Sequence, residues 1–180
     1  MSVKFISLHP TLPEDQEFCF NLFASVKQEE LQASHWDEKL LSQMMRMQFA
    51  AHEQHHRRAH KQVSDFIVVA EPLPGVPQAI GRMIVGRGDV LHLADLSLLP
   101  EFRGQGHGQR LIDGLQAEAA AQKIPLRLQC RPANRALNLY LRLGFVVMDS
   151  QPAHLLLEWR SESSPSSPWM GSCDSIESIL

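Results

Sequence analysis

The chain has 180 residues, 44% of them hydrophobic, and a formal net charge of −3, which suits one domain with a real core and gives no footing for non-specific nucleic-acid binding. No apolar run approaches the ~18 residues of a membrane span, and the opening stretch MSVKFISLHPTLPEDQ lacks the apolar length and small-residue cleavage site of a secretory leader. Cys19, Cys130 and Cys173 are odd in number and far apart, which argues against a disulfide framework and for a reducing, cytoplasmic setting.

In chain order, Val3 to Leu8 alternates weakly and predicts a first strand. Thr11-Leu-Pro-Glu14 has capping-box spacing, and behind it Phe18, Leu22, Phe23 and Val26 recur at helical intervals. Ser34-His-Trp-Asp37 is a weaker start signal for a second helix fading near Lys61, with Trp36, Leu40, Leu41, Met44, Met47 and Ala51 on one side. Phe66 to Ala70 reads as a strand, and Pro72 to Pro77 as a turn that neither a helix nor a central strand would hold. Ala79 to Val85 returns as a strand, Gly86 to Asp89 turns again, and Val90 to Leu99 is a third strand. There follow a helix from about Gly108 to Gln122, a strand at Leu126 to Cys130, a short helix from Asn134 to Leu143 closed by Gly144, and strands at Phe145 to Met148 and Leu155 to Trp159. The expected class is α/β (α+β): a mixed, mostly antiparallel central sheet of six to seven strands flanked by helices. The fold should occupy residues 1–160. Residues 161–180, rich in serine, are expected to be a disordered tail.

The most informative stretch is PEFRGQGHGQRLI, Pro100 to Ile112. A strand, a loop with free N–H groups and a helix N-terminus make an anion site, and glycines let a phosphate reach the backbone. A P-loop is excluded because Gly108 is followed by Gln109-Arg110. A Rossmann fingerprint fails on its G-x-G-x-G spacing and on Gln122 and Lys123 standing where its ribose-binding acid belongs. In the strand before the loop, Leu91 and Leu93 lie on one parity and Leu96 and Leu98 on the other. Either a β-bulge at Ala94–Leu96 restores the phase, or the strand is buried on both faces.

Arg103, Gly106 and Gly108 fit Arg/Gln-x-x-Gly-x-Gly/Ala. In ANRALNLYLRLGF, Ala136, Tyr140, Gly144 and Phe145 fit a second pattern, Asn-x-x-Ala-x-x-x-Tyr-x-x-x-Gly-Phe. In these two motifs the chain resembles the GNAT superfamily of N-acetyltransferases. Asn134 stands one residue closer to the alanine than that pattern has it, and reads either as a cofactor contact or as a helix cap. The resemblance implies a bulged fourth strand that splays from the fifth, acetyl-CoA as co-substrate without a metal, and a primary amine, small-molecule or peptide, that attacks directly in a ternary complex. It implies cofactor contacts from Leu96, Ser97 and Leu98 on the strand, from Arg103, Gly104, Gln105, Gly106, His107 and Gly108 in the loop, and from Asn134. It makes Tyr140, the single tyrosine of the chain, the donor to the leaving thiolate. It leaves room for a homodimer and gives no reason to expect a nucleic-acid or membrane partner.

The amine must lose a proton before it attacks. Asp95 sits on the bulged strand at a suitable place and ranks above His92 as base. For the acceptor pocket the expectation is Glu29 with Glu30 to attract a cation, Trp36 to stack on it, and Gln48 and Phe49 beside them. Their blander reading is a solvated face and ordinary packing. Cys130 reads as inert core rather than a nucleophile. A rival motif, His52-Glu53-Gln54-His55-His56, matches the H-E-x-x-H of zinc hydrolases, but Ala59 and Gln62 stand where the extended motif needs glycine and histidine. A second alternative keeps an acyl-CoA site without turnover, as a sensor module.

Overall fold

The computed structural model describes residues 6–31, 38–59, 62–73 and 75–161. Its strands are β1 (Ile6–Pro10), β2 (Gln62–Leu73), β3 (Val76–Arg87), β4 (Leu91–Leu98), β5 (Leu126–Cys130), β6 (Val146–Ser150) and β7 (Leu155–Trp159). They form one seven-stranded sheet in the order β1-β2-β3-β4-β5-β7-β6. Only β4 and β5 run parallel. Parallel neighbours need a long crossover, and here it is made through helix α3 (His107–Gln122). The remaining helices are α1 (Gln16–Leu31), α2 (Glu38–Ala59) and the short α4 (Leu137–Arg142). This is the mixed, mostly antiparallel architecture expected from the pattern. The tail expected to be disordered lies outside the described residues from 162 onward, as does the start of the first predicted strand.

Two layers of side chains cover the sheet. Leu111, Ile112, Leu115 and Ala119 recur along one stripe of α3 and pack with Met83, Val85, Leu91, Leu93, Leu126, Leu128 and Leu157. Each fully buried Leu or Ile there contributes about 1.5–3 kcal/mol. The opposite face, under α1 and α2, buries Cys19, Leu22, Met45, Ile67 and Ile84, and with them His56 and Arg82. At one edge all five residues of β6 are exposed, Val146 at 62%.

Several expectations change. The apolar stripe read for α2 is not its buried side: Leu40 and Met47 are exposed, Met47 at 74%, and Met45 is the buried residue. The inward side runs through Met45, Phe49, His52, Glu53 and His56, and its last turns are polar because they meet a buried arginine. Thr11 does not cap the first helix. Its hydroxyl donates to Asp65 Oδ1 at 2.8 Å, and the capping carboxylate is Asp15, which accepts from the Leu12 N–H at 2.8 Å. Pro72 and Pro77 fall inside β2 and β3 rather than in a loop, at the irregular end of the hairpin beyond Ala70, where a missing ladder donor is tolerated. The predicted start of the last helix shortens, since regular structure begins at Leu137.

Candidate active site

The bulge is present and its position is set by the register. Leu93 pairs with Val85 and Asp95 with Ile84, so Ala94 is the extra residue on β4. Because side chains alternate, this one insertion returns Leu91, Leu93, Leu96 and Leu98 to a single face, that of α3. It turns His92, Asp95 and Ser97 to the opposite face, toward α1 and α2. Beyond the bulge β3 follows β4 closely: a Cβ on Gly81 would collide with the Ser97 carbonyl oxygen and the Leu98 side chain. On the other side, β4 pairs with β5 only over Leu91–Leu93 and Leu126–Leu128, although β4 continues to Leu98 and β5 to Cys130. The two strands part at the bulge, as the resemblance implied.

The glycine loop opens at the same end. Gly104 and Gly106 have φ of 70° and 82°, the left-handed region that disfavours other residues. A Cβ on either would meet nothing within 4 Å, so space stands over the loop. Gly106 is the N-cap of α3, no side chain caps that helix, and its first turn holds no acidic residue. The loop side chains turn back on the protein. Arg103 Nε donates to the Leu98 carbonyl at 2.6 Å and Gln105 Nε2 to the Glu101 carbonyl at 2.7 Å. His107 is 1% exposed beside Phe102, and neither ring nitrogen has a hydrogen-bond partner among the described residues. Burial, then the charge of Arg110, lowers its pKa. What faces the opening at these positions is main chain. Asn134 accepts from the Ala136 N–H at 2.8 Å in the turn before α4, whose own N-cap is Ala136 with no side-chain cap.

The charge of Asp95 reaches Tyr140. Tyr140 projects from α4 with its ring edge-on to Phe145, and its pKa is pushed up to about 12 by burial, then by Cys130 and by Asp95. Asp95 is raised by burial against the pull of His52 and Arg82 and of hydrogen bonds from Ser97 and the Leu96 amide. The Ser97 hydroxyl lies 3.3 Å from both carboxylate oxygens. The Leu96 amide thus serves the Asp95 carboxylate. Burial raises Cys130 as well, which keeps it a thiol.

A cluster that sequence reasoning assigned otherwise lies on the Asp95 face. Arg82, 4% exposed, donates through Nη1 and Nη2 to Glu53 at 2.6 and 3.0 Å, and through Nε and Nη2 to Asp65 at 2.9 and 2.5 Å. Both oxygens of Glu53 are therefore engaged, and H-E-x-x-H does not present a free general base. Among the described residues, no three His, Cys, Asp or Glu side chains group as metal ligands. His52 and His56 meet at 3.0 Å between their Nε2 atoms. The i, i+4 spacing was the signal that they share a face; what it could not show is which partner that face meets.

Of the expected acceptor residues, the side chains of two are described. Gln48 is exposed, and Phe49 packs against Phe20 and Phe23 in the seam between α1 and α2, bordering a groove of about 610 Å³. Trp36 and the Glu29 side chain lie outside the described residues.

Residues 62–147 match the family model of the acetyltransferase (GNAT) domain. The fold is similar to that of PaiA N-acetyltransferase from Thermoplasma acidophilum in complex with coenzyme A, at 16% identity over 87% of this chain and 99% of that one, TM-score 0.65. It is similar to an acetyltransferase from Thermus thermophilus, at 15% identity over 89% and 100%, TM-score 0.62. It is also similar to the ribosomal-protein-S18-alanine N-acetyltransferase of Escherichia coli, at 17% identity over 93% and 100%, TM-score 0.55. Among the described residues no helix is long and apolar enough to cross a membrane.

Proposed function

We propose that this chain, whose residues 62–147 match the acetyltransferase (GNAT) domain, is an acyltransferase that moves an acetyl group from acetyl-CoA to a primary amine by direct attack in a ternary complex. One observation carries the reading: the side-chain-free N-terminus of α3, entered through two left-handed glycines, opens where β4 parts from β5. Backbone N–H groups from Gly104 to Gly108 receive the diphosphate. Arg103 and Gln105 hold the loop in shape through the Leu98 and Glu101 carbonyls. Leu96, Ser97 and Leu98 form the strand wall along which the thiol-bearing arm lies. When bound, acetyl-CoA supplies an activated acyl carbon.

The chain's own groups manage the protons. Asp95, a stronger base than an ordinary carboxylate because burial disfavours its charge, takes one proton from the acceptor ammonium. The freed nitrogen lone pair forms the C–N bond as the C–S bond breaks. Tyr140, protonated at any physiological pH, gives its proton to the departing sulfur and regains one from the new amide nitrogen. The balance is one amide, one thiol and one proton left on Asp95. Asp65 and Glu53 both bind the guanidinium of Arg82, and Asp95 on the same face adds a third carboxylate that suits a cationic acceptor. Glu29 and Trp36 are our candidates for the outer rim. Buried thiols at Cys19 and Cys130 suit the reducing, cytoplasmic compartment we expect.

The test is a melting curve with and without acetyl-CoA, followed by thiol release across a panel of amines. Ligand at 100 times its Kd should stabilise the protein by about 2.7 kcal/mol, and at least one amine should release thiol in step with acetylated product. Stabilisation with no thiol release from any amine would favour the sensor module. No stabilisation at all would overturn both.

A further inference from the structure

One polar side chain at the split between β4 and β5 has no task in the mechanism above. The last parallel pair is Leu93 with Leu128, so the residues that follow, the bulge and Asp95 on β4 and Gln129 on β5, stand on either side of the opening. Register fixes the face on which Gln129 lies. Leu126 and Leu128 pair with Leu91 and Leu93 and share their face, that of α3, whereas Arg127 pairs with His92 on the other. Because side chains alternate along a strand, Gln129 follows Arg127 onto the face that carries Asp95 and Ser97. Cys130 then returns to the α3 side, where it is buried. Gln129 thus borders the opening from β5 on the same face on which Asp95 borders it from β4. We propose that Gln129 selects the acceptor, by holding an amide or carbonyl group next to the amine.

The inference rests on the transferase reading and names the substrate class for it. The polar groups around Gln129 are already committed. Arg127, two residues back on the same face, donates through Nε to Glu158 on β7 at 2.6 Å, and Glu158 also accepts from Arg160 Nε at 2.6 Å. The Ser97 hydroxyl lies against Asp95. Leu156, the register partner of Gln129 on β7, is apolar and half-buried. Gln129 itself is exposed and engages no hydrogen-bond partner among the described residues. Its primary amide carries two N–H donors and one accepting oxygen. The full complement of such a group is another amide, which offers a carbonyl and an N–H together. An alkylamine or a polyamine has no carbonyl and leaves the Gln129 NH2 unanswered. Neighbouring strands lie about 4.8 Å apart, and these two diverge. With the ammonium directed at Asp95, the part of the acceptor that reaches Gln129 is the group one or two bonds from the nitrogen. That is the layout of an amino-acid amide or of the first peptide unit of a chain. A site that hydrogen-bonds such a group discriminates against the analogue that lacks it.

Glycinamide and n-propylamine, similar in size, are the two probes, each used in thiol release at saturating acetyl-CoA. Gln129→Leu removes the amide from an exposed position, so folding is spared, and an unchanged melting temperature checks this. The KM for glycinamide should rise about fivefold, the loss of one hydrogen bond, with kcat unchanged, the mark of an interaction made equally before and during reaction. Both constants for n-propylamine and the Kd for coenzyme A should stay as they are. The comparison is of variant with wild type for each amine, so the basicity of the amines cancels. A KM for glycinamide that does not move, or one that rises equally for both amines, overturns the proposal. Binding decides where no amine releases thiol. By NMR on the intact chain with coenzyme A bound, the side-chain NH2 signals of Gln129, identified by their absence from Gln129→Leu, should move when glycinamide is added and stay when n-propylamine is. Signals indifferent to glycinamide, or moved alike by both amines, sink the selection by Gln129. Signals that answer glycinamide alone, in an enzyme that releases no thiol, sink only the transferase.

Discussion

Arg82→Met removes the cation from between two carboxylates and leaves the rest of the layer in place. Arg82 is 5% exposed at its side chain and Glu53 16%, so solvent screens the pair little. Removing one partner of a buried ion pair costs about 3–5 kcal/mol. Linkage gives a second figure. Burial pushes the Glu53 carboxyl up, but the His52 ring and the Arg82 bonds at 2.6 and 3.0 Å together bring it down from 4.5 to about 2, equivalent to about 3 kcal/mol shared between those two partners. Arg82 supplies only part of the second figure, so the ion-pair cost sets the expected loss at about 3 kcal/mol. A depressed carboxylate pKa contributes stability that is whole above pH 4.5 and vanishes as pH falls toward 2. The penalty of Arg82→Met should therefore be largest at neutral pH and shrink at pH 3. Urea unfolding at both pH values measures it. Arg82→Met combined with Glu53→Gln and Asp65→Asn should regain most of the loss, because no uncompensated charge remains. A penalty below about 1 kcal/mol at pH 7, or one equal at both pH values, refutes the assignment of this triad as the bolt between α2 and the sheet.

Tyr140→Phe keeps the ring in the core and deletes only the hydroxyl. Turnover should fall about a hundredfold with the acetyl-CoA-induced rise in melting temperature intact, so a paired kinetic and thermal-shift measurement tests it. Gly106→Ala forces a side chain into a left-handed backbone. It should cost about 1–2 kcal/mol of stability and weaken coenzyme A binding in calorimetry more than it weakens folding. Asp95→Asn should abolish amine-dependent thiol release yet raise the melting temperature. The Asp95 pKa is raised, so its charge opposes folding once pH exceeds the ordinary value of 3.8, and the gain should be absent below that pH and grow above it.

The α3 layer was legible in the sequence because it is apolar and periodic. Leu111, Ile112 and Leu115 follow the helix, and the parity conflict in β4 raised the bulge as one of two explanations. The glycine loop could be read because positive φ and an uncapped helix start select glycine whatever the rest of the chain does. The α1–α2 layer was not legible. Its inward helix face carries His52, Glu53 and His56, which a hydrophobic pattern assigns to solvent, and the residue that draws them inward, Arg82, lies on a strand whose neighbours read as apolar. Glu53 fits a metalloprotease motif by spacing alone. Only its geometry shows that the carboxylate belongs to a guanidinium. Pro72 and Pro77 misled for a related reason: a proline forbids a ladder bond, but an irregular hairpin end has ladder bonds to spare.

Ala94 does its work by being one too many. Strike a single residue from that part of β4 and everything from 95 to 98 trades sides: a carboxylate enters the oily layer beneath the third helix, and two leucines confront the amine. The amino acids would be the same bar one, yet both the wall and the base would be gone. Chemistry in this strand depends on arithmetic as much as on composition, and an indel there is a harsher lesion than most exchanges of one side chain for another.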